Sequence, residues 1–279
     1  LKAPAFRYAR PRTLDAALRL LAEGGEGARI LAGGQSLVPA LNMRLLEPSL
    51  LIDINDLKEL EGIAETVRGI RVGALTRHTA LGASPIVARR APLLTAAVPY
   101  IAHEAIRNRG TFGGSLAQAD PAAELPACVI ALDAQIEIAG PRGRRRIAAR
   151  DFFKGVYENA LARDEILIAA EIPPQRGTTL FLELARRQGD YAIAGLAGWA
   201  VLRENRIAEA RLVFFGTDIR AVEASAASAA LAISVDAAVA ALDRDLNPVP
   251  DLNASAAMKL HLAGALLRRA CAAAMARPA

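Results

Sequence analysis

The stretch Ala32-Gly33-Gly34-Gln35-Ser36 constrains this chain more than any other. It separates a short apolar run, Arg29-Ile30-Leu31-Ala32, from an amphipathic run that begins at Leu37, so a buried strand is expected to turn sharply into a helix. Glycines admit positive φ and let peptide N–H groups approach a ligand with no Cβ in between. Ser36 is then expected to N-cap a helix over 37–46, with Pro39 in the first turn, where a missing N–H costs nothing. A free helix start of this kind favours an anion. The spacing is not GxGxxG, and the GK[ST] of a P-loop is missing. A tight turn that only reverses the chain accounts for the glycines as readily. A second segment answers the first: Thr111-Phe112-Gly113-Gly114-Ser115 again sets a hydroxyl beside paired glycines. Two such turns, distant in sequence, suggest two backbone cradles for one anionic ligand.

The elements around these turns give an α+β chain. Thr13 caps a helix through Ala16, Leu18, Leu20 and Leu21 that Gly24-Gly25 ends, and Leu50–Ile54 is a second short strand. Helix, strand, helix, strand is the rhythm of a small parallel unit over residues 1–57, with Ala32-Gly33 at a strand's C-terminal end, where ligands gather. Residues 58–173 read differently. A hairpin turns at Arg68-Gly69, Thr76 opens a short helix, and a longer helix runs from Pro92 to Ala105. Asp120-Pro121 caps a helix holding Leu125, Val129 and Leu132. Gln135–Ala139 pairs with Arg146–Ala149, and Ile166–Ile172 is a strand stopped by Pro173-Pro174, the best boundary. Residues 174–279 hold three strands, Leu180–Ala185, Leu196–Leu202 and Ala210–Phe215, with a turn at Glu204-Asn205. Helices over Ala221–Ala232, Val235–Leu242 and Ala254–Ala274 follow, the last capped from Asp251 to Ser255.

Composition removes several classes of function. A net charge of +5 over 279 residues is modest, and the only basic cluster, Arg142–Arg146, reads as a solvated hairpin tip beside Pro141 and Gly143; no nucleic-acid partner is expected. Two cysteines, Cys128 and Cys271, and three scattered histidines lack metal-ligand spacing, so no iron–sulfur cluster or zinc site is expected within this chain. No apolar leader stands at Leu1-Lys2-Ala3-Pro4, and charges interrupt the alanine-rich C-terminal helices, so a cytoplasmic chain with no integral membrane segment is expected.

Three groups of residues together resemble a known family. They are Ala32–Ser36 with Asn42-Met43-Arg44-Leu45 and Leu51-Ile52-Asp53; Ile106-Arg107-Asn108-Arg109-Gly110 running into Thr111–Ser115; and Asp120-Pro121-Ala122-Ala123-Glu124-Leu125-Pro126. The chain resembles, over nearly its whole length, the FAD-binding medium subunit of molybdenum hydroxylases, the group that includes the carbon monoxide dehydrogenase flavoprotein and, more distantly, the FAD domain of xanthine dehydrogenase. The resemblance implies a two-part FAD-binding domain, a small parallel βαβ unit plus a mostly antiparallel α+β unit, and a C-terminal three-stranded sheet with a helical bundle. It implies an oxidoreductase subunit carrying FAD. Electrons would arrive from two-iron two-sulfur clusters of a small subunit and leave to an external acceptor. A large subunit with the molybdenum cofactor would oxidise the substrate, and the whole would be a dimer of heterotrimers. A stand-alone FAD-dependent oxidase and a non-catalytic scaffold are the alternatives.

Carried over residue by residue, the resemblance implies that Ile30, Leu31, Ala32, Gly33, Gly34, Gln35, Ser36 and Leu37 wrap the diphosphate. Gly110, Thr111, Gly113, Gly114 and Ser115 would form the second wall, and a Cβ added at Gly33 or Gly114 would occupy the path of the phosphates. Ile101 and Ala102 would lie beside the flavin, with Leu167 as an apolar contact. Glu124 would accept from ribose or ribityl hydroxyls, unless it is only an exposed first-turn acid. Tyr191 would cover the isoalloxazine ring, unless it is an interfacial core tyrosine. Glu183 stands where some members carry a lysine, a charge reversal that Arg186 or Arg187 would have to offset. His103 and Asp120 are read as local hydrogen-bonding or capping groups. No catalytic side chain is expected, because the ring carries the redox chemistry.

Overall fold

A computed structural model describes residues 2–276 apart from residue 205. The first unit contains β1 (Arg7–Ala9), α1 (Leu14–Gly24), β2 (Ala28–Leu31), α2 (Leu37–Asn42) and β3 (Leu50–Asp53), with parallel strands in the order β1-β3-β2. The Thr13 hydroxyl accepts from the Ala16 amide at 3.2 Å, and Gly25 at φ 51° ends α1, as the local chemistry predicts. β1 carries no apolar run and escapes a sequence reading; pairing with β3 alone makes it a strand. The helix expected over 37–46 stops at Asn42. Arg44 adopts φ 55°, and the Leu45 amide donates back to the Ala40 carbonyl at 2.9 Å, a Schellman-type ending. The Ser36 hydroxyl caps nothing, because Ser36 is itself already in the helical region.

The second unit contains β4 (Ile63–Thr66), β5 (Gly69–Gly73), α3 (His78–Ala83), α4 (Pro85–Arg90), α5 (Pro92–Ala97), α6 (Glu104–Arg107), α7 (Phe112–Gln118) and α8 (Glu124–Ala131). It continues through β6 (Gln135–Gly140), β7 (Gly143–Ala148), α9 (Ala149–Phe152), β8 (Phe153–Gly155), β9 (Glu158–Asn159) and β10 (Ile166–Ile172). An antiparallel sheet of order β4-β5-β10-β6-β7 forms its middle. β10 is buried throughout because both its faces are covered: Ile166 and Ile168 pack with α1 and β3, while Leu167, Ala170 and Ile172 pack under α7 and α8.

Four expectations are corrected here. The single helix over 92–105 breaks. A 3₁₀ turn follows α5, and Ala102 at φ 41° carries the chain outward before α6. Thr76 does not open a helix, since its hydroxyl donates to the Gly62 carbonyl at 3.0 Å and α3 starts after Arg77. Asp120 caps the turn before α8, accepting from the Ala122 amide at 2.9 Å, and not the helix itself. The basic cluster is more than a solvated tip. Arg145 forks onto Glu165 at 2.7 and 2.6 Å, and Arg146 joins Glu137 at 2.7 Å to Glu171 at 2.8 Å across the sheet.

The third unit contains β11 (Thr178–Leu184), β12 (Ala194–Arg203), β13 (Arg206–Phe215), β14 (Val222–Glu223), α10 (Ser225–Ala230), α11 (Val235–Asp245) and α12 (Ala256–Met275). Three long antiparallel strands follow the expected plan, and the two-residue β14 joins their edge, within the stretch read as the start of a helix. Of the turn expected at Glu204-Asn205, Asn205 lies outside the described residues, as does Leu1. One face of this sheet buries Leu180, Leu196 and Phe214 under α10–α12; the other presents Phe181, Trp199 and Phe215 to the second unit. Ser255 caps α12, and the buried Lys259 Nζ donates to Asp251 Oδ2 and to the Gly216 carbonyl, each at 2.8 Å. The Gly216 amide in turn donates to the Pro121 carbonyl at 2.8 Å, so α12 is tied to the turn ahead of α8. Among the described residues, no helix is long and apolar enough to cross a membrane.

Candidate functional site

A cavity of about 540 Å³ lies where the three units meet, and both glycine turns line it. That volume suits an extended cofactor. Gly33 rests directly on the second loop: a Cβ there would stand 2.4 Å from the Arg109 carbonyl oxygen and 2.9 Å from Gly110 Cα. A polar brace holds this contact. Asn55 Nδ2 donates to the Ala32 carbonyl at 2.8 Å, Arg77 Nη2 donates to Asn55 Oδ1 at 2.7 Å, and Arg77 Nη1 donates to the Arg109 carbonyl. Sequence reasoning missed both residues, because each acts on a loop more than twenty positions away.

The two loops differ in what they offer. Among the hydrogen bonds of the described residues, none uses the amides of Gly33, Gly34, Gln35 or Ser36. All four residues line the cavity, and a run of unbonded amides there fits an anion. The second loop has spent most of its amides, that of Thr111 being the exception among the described residues. Phe112 N–H donates to the Thr76 carbonyl and Gly113 N–H to the Ala74 carbonyl, each at 2.8 Å, and Gly114 N–H donates to Thr111 Oγ1 at 3.1 Å. The two expected backbone cradles are therefore unequal: the first loop offers the amides of Gly33–Ser36, and the second, which packs against it, offers only that of Thr111. The glycines of the second loop are explained by close packing, since a Cβ on Gly113 would stand 2.5 Å from Ala74 Cβ, and one on Gly114 2.6 Å from Thr111 Oγ1.

Ile30, Ala32, Gly33, Gly34, Gln35, Ser36 and Leu37 all line the cavity, whereas Leu31 stands outside the lining. Its side chain packs beneath the turn, 3.2 Å from where a Cβ on Gly34 would sit. Gly110, Thr111, Gly113, Gly114 and Ser115 line the opposite wall. Farther along, the cavity is bounded by Ile101, Ala102, Glu124, Leu167 and Tyr191. Gly189 at φ 84° folds the third unit onto the Ala102 carbonyl, 3.0 Å from its would-be Cβ. Tyr191 is 70% exposed on the rim, so it is no core tyrosine. His103 and Arg186–Arg187 are exposed and do not reach the cavity.

Glu124 is not an exposed first-turn acid. Burial, with the Asp120 charge adding to it, pushes its carboxyl up to about 7. Glu183 projects from the face of β11 that packs on the second unit, and its Oε2 is buried with no partner. Burial, then the nearby Glu124, pushes Glu183 up to about 8. The charge reversal at this position is thus met by protonation, and no arginine among the described residues pairs with it.

His78 is a buried histidine that the sequence did not single out. It contributes to the cavity wall and is 5% exposed, with both ring nitrogens closed off from the cavity. Burial lowers it to about 4, helped by the Arg107 and Arg77 charges and opposed by the Thr111 carbonyl, so the ring is neutral at neutral pH.

The chain is similar to known proteins along its whole length. The family described as the FAD binding domain in molybdopterin dehydrogenase matches residues 4–175. The CO dehydrogenase flavoprotein C-terminal domain matches residues 179–274. The 6-hydroxypseudooxynicotine dehydrogenase complex subunit alpha of Paenarthrobacter nicotinovorans is 38% identical, over 99% of this chain and 97% of the relative. The carbon monoxide dehydrogenase medium chain of Hydrogenophaga pseudoflava is 37% identical, over 98% of each. Among solved structures, a carbon monoxide dehydrogenase from Hydrogenophaga pseudoflava superposes with a TM-score of 0.95 at 37% identity, covering 100% of both chains. Quinoline 2-oxidoreductase from Pseudomonas putida 86 follows with a TM-score of 0.94 at 37% identity, covering 99% of this chain and 98% of that one.

Proposed function

The chain belongs to the FAD-binding medium-subunit family of the molybdenum hydroxylases, and we propose that it is the electron-transfer subunit of such an enzyme. It is an oxidoreductase subunit that carries FAD. The proposal concerns the direction and the company. Two-iron two-sulfur clusters of a small subunit supply electrons here, and an external acceptor removes them. A large subunit with the molybdenum cofactor oxidises the substrate. The assembly is a dimer of heterotrimers in the cytoplasm. Residues 1–57 and 58–173 hold the cofactor between them, and 174–279 closes over the flavin.

The observation that carries this reading is the polarity of the cavity. Within one lining, the unbonded amides of Gly33–Ser36 suit a diphosphate, and Ile101, Ala102, Leu167 and Tyr191 suit a planar ring. FAD, when bound, supplies the two-electron redox chemistry. The chain's own tasks are to bind, orient and shield it. The Asn55–Arg77 brace fixes the separation of the two loops, and Gly189–Tyr191 limits the access of water. Glu124, in the cavity lining, would bond sugar or ribityl hydroxyls, with the role of acceptor or donor set by its proton.

The test is native mass spectrometry of the complex purified with its partners, followed by anaerobic reduction. Two further subunits bearing iron–sulfur and molybdenum cofactors are expected, with flavin bleaching that follows cluster reduction. Bleaching of the isolated chain by the organic substrate itself would overturn the assignment in favour of a stand-alone oxidase.

A further inference from the structure

Two segments of the cavity lining are joined to one glycine, and a buried lysine holds that glycine. Lys259 lies on α12, outside the lining, and is 4% exposed. Its Nζ donates to the Gly216 carbonyl and to Asp251 Oδ2, each at 2.8 Å. Asp251 is itself fixed, since its Oδ1 accepts from the Asn253 and Ala254 amides at 2.7 and 3.0 Å. The Gly216 amide donates to the Pro121 carbonyl at 2.8 Å, in the turn that brings Asp120, Ala123 and Glu124 to the cavity. Gly216 also rests on Ala192, the neighbour of Tyr191. At φ 75°, a Cβ there would stand 2.6 Å from the Ala192 carbonyl oxygen, so both the backbone angle and the contact require glycine.

We propose that Lys259 is a positioning residue for FAD: by holding the Gly216 carbonyl it sets where the Asp120–Glu124 turn and the Tyr191 segment stand relative to each other, and so how the flavin end of the cofactor is received. This rests on the reading of the cavity as the FAD site. The lysine touches no part of the cofactor and acts through Gly216. A charge-assisted bond to a buried carbonyl is strong and directional, which suits a group that supports a binding wall. The Gly33–Ser36 loop belongs to the first unit and makes no hydrogen bond to Gly216 or Lys259 among the described residues. Its grip on a diphosphate is therefore independent of the lysine.

The experiment compares the full-length wild-type chain with Lys259→Met, Lys259→Arg and Asp251→Asn. Each apo form is titrated with FAD and with ADP, and the fluorescence of bound FAD and the urea midpoint are recorded. Methionine fills the space without a donor. In Lys259→Met, affinity for FAD is expected to fall roughly tenfold, while ADP binds as it does to the wild type. Bound FAD is expected to fluoresce more strongly, because Tyr191 no longer stacks on the ring. Lys259→Arg keeps a charged donor and is expected to restore most of both. Asp251→Asn leaves Nζ on the Gly216 carbonyl, so a lower midpoint is expected with FAD affinity and fluorescence unchanged. Wild-type FAD affinity and fluorescence in Lys259→Met overturn the proposal, whatever the midpoint does, and leave the cofactor reading standing. Equal losses for FAD and ADP also overturn it, by showing a general loosening, and so does an Asp251→Asn chain that reproduces the Lys259→Met losses. Where Lys259→Met yields no folded chain, Lys259→Gln is read by the same criteria. A wild-type chain that takes up neither FAD nor ADP overturns the cofactor reading itself.

Discussion

At the scale of single residues, Gly33 and Gly114 are glycines for a reason other than the one their motif suggests. A side chain at Gly33 would not first obstruct a phosphate; it would strike the Arg109 carbonyl 2.4 Å away. Gly33→Ala is therefore expected to prise the loops apart, costing about 1–3 kcal/mol of stability and most of the bound FAD. Gly114→Ala is expected to disturb the Thr111 cap of α7 to a similar degree, since its Cβ would stand 2.6 Å from Thr111 Oγ1. Denaturant midpoints together with flavin content after gel filtration measure both effects. Unchanged stability with flavin lost would restore the simpler view of glycines cleared only for phosphate.

At the scale of elements, α8 and β11 bring two carboxyl groups from different units into one buried region, with no cation among the described residues paired to either. Glu124 and Glu183 are both raised above the ordinary value of 4.5, to about 7 and about 8. The folded chain then binds more protons than the unfolded one. By linkage, this contribution is fully present below about pH 4.5, and it is lost as pH rises through about 7 to 8. Apo-protein stability is expected to decline from pH 6 to pH 9, and Glu183→Gln to flatten that decline. Urea midpoints across the range measure it, and an unaltered slope in the variant would show that folding does not raise the Glu183 carboxyl. The break between α5 and α6 is the other element-scale feature with functional weight. A continuous helix through Ala105 would carry Ile101 and Ala102 along its axis instead of presenting them to the cavity.

At the scale of the whole molecule, the cavity is walled by residues from all three units, from Ile30 through Thr111 to Tyr191. A ligand there binds the folded chain and not the unfolded one. FAD at a hundredfold excess over its dissociation constant is expected to stabilise the fold by about 2.7 kcal/mol. That corresponds to a rise in unfolding midpoint of roughly 5 °C for a chain of this size. FMN lacks the adenosine end and the full diphosphate, so a smaller rise is expected. Differential scanning fluorimetry over a ligand series separates the two, and a midpoint indifferent to FAD concentration would remove the cavity from consideration.

Much of the architecture was legible because its causes are local. Thr13 and Ser255 cap the helices that follow them, Pro173-Pro174 stops β10, and the alternation of Phe181 and Glu183 with Leu180, Leu182 and Leu184 assigns two faces to β11. The paired glycines were likewise visible as turns that approach something closely. What they approach was not visible, because it is another stretch of backbone some seventy-five residues away. The same holds for the bonded amides of the second loop, the Asn55–Arg77 brace, the carboxylates that neutralise Arg145 and Arg146, and the burial of His78. Each depends on which distant donor or acceptor reaches a group once the chain is closed. Residue chemistry set the elements and their caps, and tertiary contact alone decided which polar groups were satisfied within the protein and which were left for a ligand.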